Sequence, residues 1–232
     1  MNDKLLRAAI AEFLGTFTLV FVGAAVVATG AGLVAAALGH GLILVGIILA
    51  YGRISGAHVN PAVTLGLLVG RQITLDRAIF YWVAQFVGAL VAAVLVRALL
   101  PDAVLGLLAD GTTFNVGQTI GSVTSADILR AAAFEFVLTF FLVSAVYQAA
   151  VFGKLNNLEA LAIGLTLAGS IFAGGVFTGA SLNPARTLGP ALIGGGNLDY
   201  VLPYLIGQLL AGAVAGVLHM TLFRPQAEPE GV

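Results

Sequence analysis

The sequence predicts an all-α membrane protein in which six transmembrane helices and two re-entrant half-helices form an inverted repeat. Three observations carry that prediction. The 232 residues are 59% hydrophobic and only 9% charged, with a mean hydropathy of +1.05, whereas a soluble domain carries about 25% charged residues. Six apolar runs are long enough to cross a bilayer, which takes about 20 residues. Finally, one segment pattern occurs twice, 123 positions apart, without gaps (Glu12 to Glu135).

The first run, Ala8 to Thr29, follows Lys4 and Arg7 as a secretory leader would, but it is too long for one and contains Glu12, so it reads as a mature span. The second, Leu33 to Gly52, leads into Ser55-Gly56-Ala57-His58-Val59-Asn60-Pro61-Ala62. After this motif only Leu65 to Val69 remains apolar before the third span, Ala78 to Leu99, and that is too short to cross. Pro61 suits the first turn of a helix, where its missing N–H is not needed, and Asn60 then stands at the N-cap. The segment is therefore a re-entrant loop followed by a half-helix. A connection from Pro101 to Asp127 precedes the fourth span, Ile128 to Ala150, and the fifth, Leu158 to Gly175. The motif then returns as Thr178-Gly179-Ala180-Ser181-Leu182-Asn183-Pro184-Ala185, with the short run Leu188 to Ile193 and the last span, Tyr200 to Leu222.

The two copies cover about residues 1–100 and 127–225 of a single transmembrane domain. Glu12-Phe13-Leu14-Gly15-Thr16-Phe17 matches Glu135-Phe136-Val137-Leu138-Thr139-Phe140, and Tyr81 and Gln85 match Tyr204 and Gln208. Each copy has three spans, an odd number, so the second copy lies upside down relative to the first. The half-helices then enter from opposite faces and their N-termini meet near the midplane. Non-helical backbone at that depth must be packed in protein or line a watery cavity, and a central pore satisfies the requirement.

Orientation follows from the short-loop cations. Lys4, Arg7, Arg53, Arg71, Arg77, Lys154 and Arg224 fall on the side of both termini, against Arg97 and Arg130 opposite, so both termini are expected in the cytoplasm. The Pro101–Asp127 connection, with Asp102, Asp110 and Asp127, is then external. With no cleavable targeting segment in view and short tails, the expected location is the cell (plasma or inner) membrane. No basic run points to nucleic acid, and with no cysteine there is no disulfide or thiol-based metal site. No nucleophile with a base, ligand cluster or phosphate-binding glycine loop marks an enzyme, a metal site or a cofactor.

Paired Asn-Pro-Ala motifs (Asn60, Pro61, Ala62 and Asn183, Pro184, Ala185), with Glu-Phe-x-x-Thr-Phe opening each half, make the chain resemble the aquaporin (major intrinsic protein) family over nearly its whole length. The resemblance implies one pore per subunit, a homotetramer, and passage of water and small neutral solutes. Physically, each half-helix N-terminus brings about half a positive charge to the centre, and the Asn60 and Asn183 amides are expected to donate into the pore. Cations are thereby disfavoured and a proton-conducting water chain is interrupted. Carbonyls from Gly56 to Val59 and Gly179 to Leu182 would replace hydration along a single file.

Carrying the family's selectivity filter over position by position gives His40, Ile171, Ala180 and Arg186. Arg186 also stands out alone: its repeat counterpart is Val63, and an intramembrane arginine is expected only where it faces a cavity. His40 departs from typical water-specific members and resembles plant tonoplast intrinsic proteins and ammonia-permeable aquaporins. That implies water with ammonia, and hydrogen peroxide or urea as further solutes. Against a glycerol facilitator stand His40 and Thr187; in its favour stands Leu205, where water channels commonly place Trp. Glu12 and Glu135 are expected to be structural, accepting backbone N–H bonds from the re-entrant loops. His58 has pore lining and packing as equal options. A secondary transporter is the remaining alternative, since inverted repeats with broken helices also build transporters.

Overall fold

Lipid offers no hydrogen bonds, so each apolar run has to satisfy its backbone internally, and it does so as helix. The computed structural model describes residues 3–106, 115–153 and 158–225. Asp110, Lys154 and the tail from Gln226 to Glu230 lie outside the described residues. In chain order the helices are α1 (Asp3–Ala28), α2 (Gly32–Ser55), α3 (Pro61–Val69), α4 (Leu75–Leu99), α5 (Asp102–Leu105), α6 (Ser122–Ala126), α7 (Ile128–Val146), α8 (Glu159–Thr178), α9 (Pro184–Gly194) and α10 (Val201–Leu222). Six of them (α1, α2, α4, α7 with its continuation to Val151, α8 and α10) are long and apolar enough to span a bilayer. Among the described residues there is no strand.

The predicted spans recur with shifted ends. Helix α1 begins five residues before Ala8, because Asp3 in its first turn suits the positive end of the helix dipole, and α4 begins three residues before Ala78, at Leu75. The end of α7 loosens into a π-turn, Tyr147–Val151. Inside the connection between halves, expected as an external loop, lie the short helices α5 and α6.

The packing repeats with the sequence. Helix α1 lies against α4 and α2, and α7 lies correspondingly against α10 and α8. The half-helices cross over: α3 packs on α10 of the other half, and α9 on α4. The halves also meet where α2 crosses α8, at Gly41 and Gly164, residues 123 apart. A Cβ on Gly41 would stand 2.7 Å from the Gly164 carbonyl, and one on Gly164 would stand 2.6 Å from the Gly41 carbonyl. Any side chain there would force the helices apart; without a hydrophobic drive for association in lipid, this close backbone approach holds the halves together. Large apolar residues such as Leu49, Val83, Leu129 and Leu202 are more than half exposed on the outside, as expected when the surrounding solvent is hydrocarbon.

Candidate functional site: the central passage

Each re-entrant loop hangs on one buried carboxylate. Glu12 accepts from Ser55 Oγ (2.6 Å), His58 N (2.9 Å), Val59 N (2.7 Å) and Gln85 Nε2 (2.8 Å). Glu135 accepts from the four residues 123 positions on: Thr178 Oγ1 (2.7 Å), Ser181 N (3.0 Å), Leu182 N (2.8 Å) and Gln208 Nε2 (2.8 Å). Four donors each compensate the burial of these charges. The loops need such anchorage because Ala57, Val59, Ala180 and Leu182 sit at φ between 42° and 55°, a left-handed conformation unfavourable to residues with a Cβ.

At the midplane the two Asn-Pro-Ala motifs lock onto each other. Asn60 Nδ2 donates to the Leu182 carbonyl and Asn183 Nδ2 to the Val59 carbonyl, both at 2.8 Å. Each Oδ1 caps its own half-helix: Asn60 accepts from Ala62 N (2.8 Å), and Asn183 from Ala185 N (3.0 Å) and Arg186 N (3.3 Å). One hydrogen of each amide is thus committed to the opposite loop, and the other is left over. The same bonds take the Val59 and Leu182 carbonyls out of the expected ladders. Among the described residues, the carbonyls of Gly56, Ala57 and His58, and of Gly179, Ala180 and Ser181, accept no protein hydrogen bond.

Two cavities run through the bundle and meet at His40 and Arg186. The inner one is lined by Asn60, Asn183, His58 and Ser181 together with apolar residues such as Leu44 and Ile163; the outer one is lined by Ile171, Gln118 and Gly179 among others. His40 and Arg186 line both. His40 Nδ1 lies 2.8 Å from the Ala36 carbonyl, so it carries the proton, and Nε2 is left to accept from Arg186 Nε at 3.3 Å. Arg186 Nη1 donates to the Gly117 carbonyl at 2.5 Å. Of the five guanidinium N–H groups, these bonds use two. Arg186 has no carboxylate within ion-pair distance among the described residues.

The structure places His40, Ile171 and Arg186 on the lining of one cavity. Ala180 lines neither cavity; it packs beside Ile171 in the apolar core next to the passage. Leu205 packs against Tyr200 and Tyr204, away from both cavities. His58 does both things considered for it: it lines the inner cavity, and its ring stands edge-on to Tyr81 at 5.0 Å with Nδ1 3.1 Å from Thr64 Oγ1. Two contributors escaped sequence reasoning. Gly23 of α1 lies directly behind the His40 imidazole, where a Cβ would overlap it. Gly117 (φ 84°) passes so close to Ala24 of α1 that a Cβ would lie 2.5 Å from Ala24 Cα, which brings its carbonyl to Arg186.

Six spans, two half-helices that meet at their N-termini, and two cavities that share His40 and Arg186 in their linings mark a multi-pass membrane channel. The signature of the major intrinsic protein family matches residues 1–219. The probable aquaporin TIP1-1 of Oryza sativa subsp. japonica is 39% identical, covering 94% of this chain and 87% of that protein. Aquaporin TIP2-1 of Arabidopsis thaliana is 38% identical over 96% and 90%. Among solved structures, the X-ray structure of the aquaglyceroporin from Plasmodium falciparum superposes with a TM-score of 0.73 at 25% identity, covering 94% of this chain and 97% of that one. The chain belongs to the major intrinsic protein (aquaporin) family, and is a channel for water and small neutral solutes.

Proposed function

We propose that this channel conducts water and ammonia passively, with hydrogen peroxide and urea as secondary solutes, while excluding glycerol, ions and protons. The observation that carries the reading is the meeting of both cavities at the hydrogen-bonded pair His40–Arg186, beside Ile171. His40, Ile171, Ala180 and Arg186 form the selectivity filter. Its remaining guanidinium N–H groups stand in for a permeant's lost hydration, and its unpaired charge repels cations. At the midplane, the second hydrogen of each Asn amide and the two converging half-helix dipoles orient a single water and interrupt proton transfer. The His40 imidazole gives the filter the partly polar character that suits ammonia, and the small Ala180 packs beside Ile171. The guanidinium–imidazole contact supports the exclusion of glycerol, the alternative that Leu205 favoured in the sequence, and Leu205 packs on the cluster of Tyr200 and Tyr204. We read the chain as a single channel domain assembling as a homotetramer in the cell membrane, both termini cytoplasmic, because the short-loop cations gather on that side.

Stopped-flow light scattering on proteoliposomes tests the proposal with water, ammonia and glycerol as permeants, in wild type and His40→Phe. Rapid water flux, measurable ammonia flux that falls in His40→Phe, and no glycerol flux are expected. Glycerol passing as readily as water would overturn the filter assignment in favour of a facilitator.

A further inference from the structure

On the face that carries both termini, a concave pocket opens between the start of α1, the end of α2 and the start of α4. Lys4, Arg7, Arg53 and Arg77 surround it, with Asp76 as its single carboxylate and Leu5 and Ile54 among its apolar walls. The ion pairs found among the described residues, Arg97–Asp102 and Arg130–Asp127, are both on the opposite face, so among the described residues the four cations of the pocket have no carboxylate within 4.0 Å. Lys4, Arg7 and Arg53 are exposed. Arg77 is held in place: Nε donates to Tyr81 Oη at 2.8 Å and Nη2 to the Ser55 carbonyl at 3.2 Å, which leaves three of its N–H groups for a ligand. A topological preference for positive loops would scatter cations over this face; here three helices gather four of them around one concavity.

We propose that this pocket binds the phosphate of an anionic phospholipid from the surrounding leaflet. A phosphodiester offers charge and acceptor oxygens to Lys4, Arg7, Arg53 and the free edge of Arg77, while Leu5 and Ile54 meet the apolar part of the lipid below the headgroup. Occupancy reaches the passage through Arg77. The Ser55 carbonyl it holds belongs to the residue whose hydroxyl donates to Glu12, so a bound phosphate stiffens the anchorage of the first re-entrant loop. That the leaflet is the cytoplasmic one rests on the orientation proposed above. Binding in micelles does not depend on orientation, so the two readings fail separately.

The test is native mass spectrometry of the detergent-solubilised chain with phosphatidylglycerol, phosphatidylcholine or inorganic phosphate added. It compares wild type, the triple variant Lys4→Gln/Arg7→Gln/Arg53→Gln, and Arg130→Gln as a cation removed from the opposite face. Each near-surface cation contributes roughly a factor of five in affinity for anionic lipid, so the triple variant is expected to bind phosphatidylglycerol about a hundred-fold more weakly, and Arg130→Gln to bind it as wild type does. The triple variant should keep the size-exclusion profile and thermal unfolding midpoint of wild type in detergent without added lipid, showing that it is folded. Equal retention of the two lipids by wild type, or an equal loss in Arg130→Gln, would overturn the site. Displacement of phosphatidylglycerol by millimolar inorganic phosphate would assign the pocket to free anions and overturn the lipid reading.

Discussion

Substituting Gly23 by alanine tests whether the width of the constriction is set from behind. The His40 ring is confined between α1 and Arg186, and a Cβ at position 23 would stand 2.6 Å from its Cε1 and closer still to Cδ2 and Nε2. Ordinary contact begins near 3.4 Å, so the ring must retreat by about 1 Å, and the open direction is the passage. A water molecule has a radius of about 1.4 Å, and a single file cannot give up that much width without stripping the permeant of a hydrogen bond, at about 1–3 kcal/mol. At 1.4 kcal/mol per decade, osmotic water permeability should fall about ten-fold or more. The fold should hold, since alanine is favoured over glycine by about 1 kcal/mol in a helix. Gly46→Ala is the control, because a Cβ there meets nothing within 4 Å. The assay is stopped-flow shrinkage of proteoliposomes matched for protein content, with Gly23→Ala/His40→Ala expected to recover the flux by removing the displaced ring. Equal permeability in Gly23→Ala and Gly46→Ala would refute the reasoning.

Three further outcomes are expected. Glu135→Gln puts an amide N–H₂ against donors it cannot accept, forfeiting about two charge-assisted bonds of roughly 1.5–3 kcal/mol each. Its thermal unfolding, followed by fluorescence of the single tryptophan, Trp82, should move down markedly, and Glu12→Gln should match it because the two networks are equivalent; a large drop in one variant alone would contradict that equivalence. Arg186→Val removes an unpaired charge that repels a cation at about 4 Å by about 4 kcal/mol at an effective dielectric of 20. Proton or ammonium leak into dye-loaded vesicles should therefore rise steeply while water flux persists, and an unchanged leak would relocate the barrier to the midplane. With no cysteine in the sequence, mercuric chloride should leave water flux unaltered, and thiol-reversible inhibition would contradict the passage described.

The fold was legible because its signals are long or duplicated: apolar runs of spanning length, and a motif that recurs in register. The carboxylates were legible for the same reason, since Glu12 and Glu135 are ionisable residues in spans at equivalent positions, and both proved to anchor the loops. What escaped was whatever depends on close approach between segments distant in sequence. Gly23 is one of thirty glycines, and nothing local separates the one behind His40 from those that merely pack helices. The left-handed conformations at Ala57, Val59, Ala180 and Leu182 carry no glycine to announce them, because the carboxylate network imposes them from outside the segment. The cross-link between the Asn amides and the opposite loops was out of reach too, since it forms only once the two halves meet.

A symmetric scaffold with an asymmetric filter calls for an explanation, and the structure contains one. The repeat equivalents of His40, Ile171, Ala180 and Arg186 are Ile163, Ile48, Ala57 and Val63, all of which line the inner cavity. The same backbone therefore builds two equivalent waists, and at these positions only the outer one carries a cation. The difference lies in the connection between halves, which occurs once. Gly117 belongs to that connection and supplies the carbonyl that Arg186 requires; the inner waist has no second connection and hence no equivalent acceptor. A buried guanidinium with its donors unmet is strongly destabilising, so valine at position 63 is what the inner waist can hold. Duplication provides the passage and its midplane lock, and the unique loop determines on which side the charged filter can be placed.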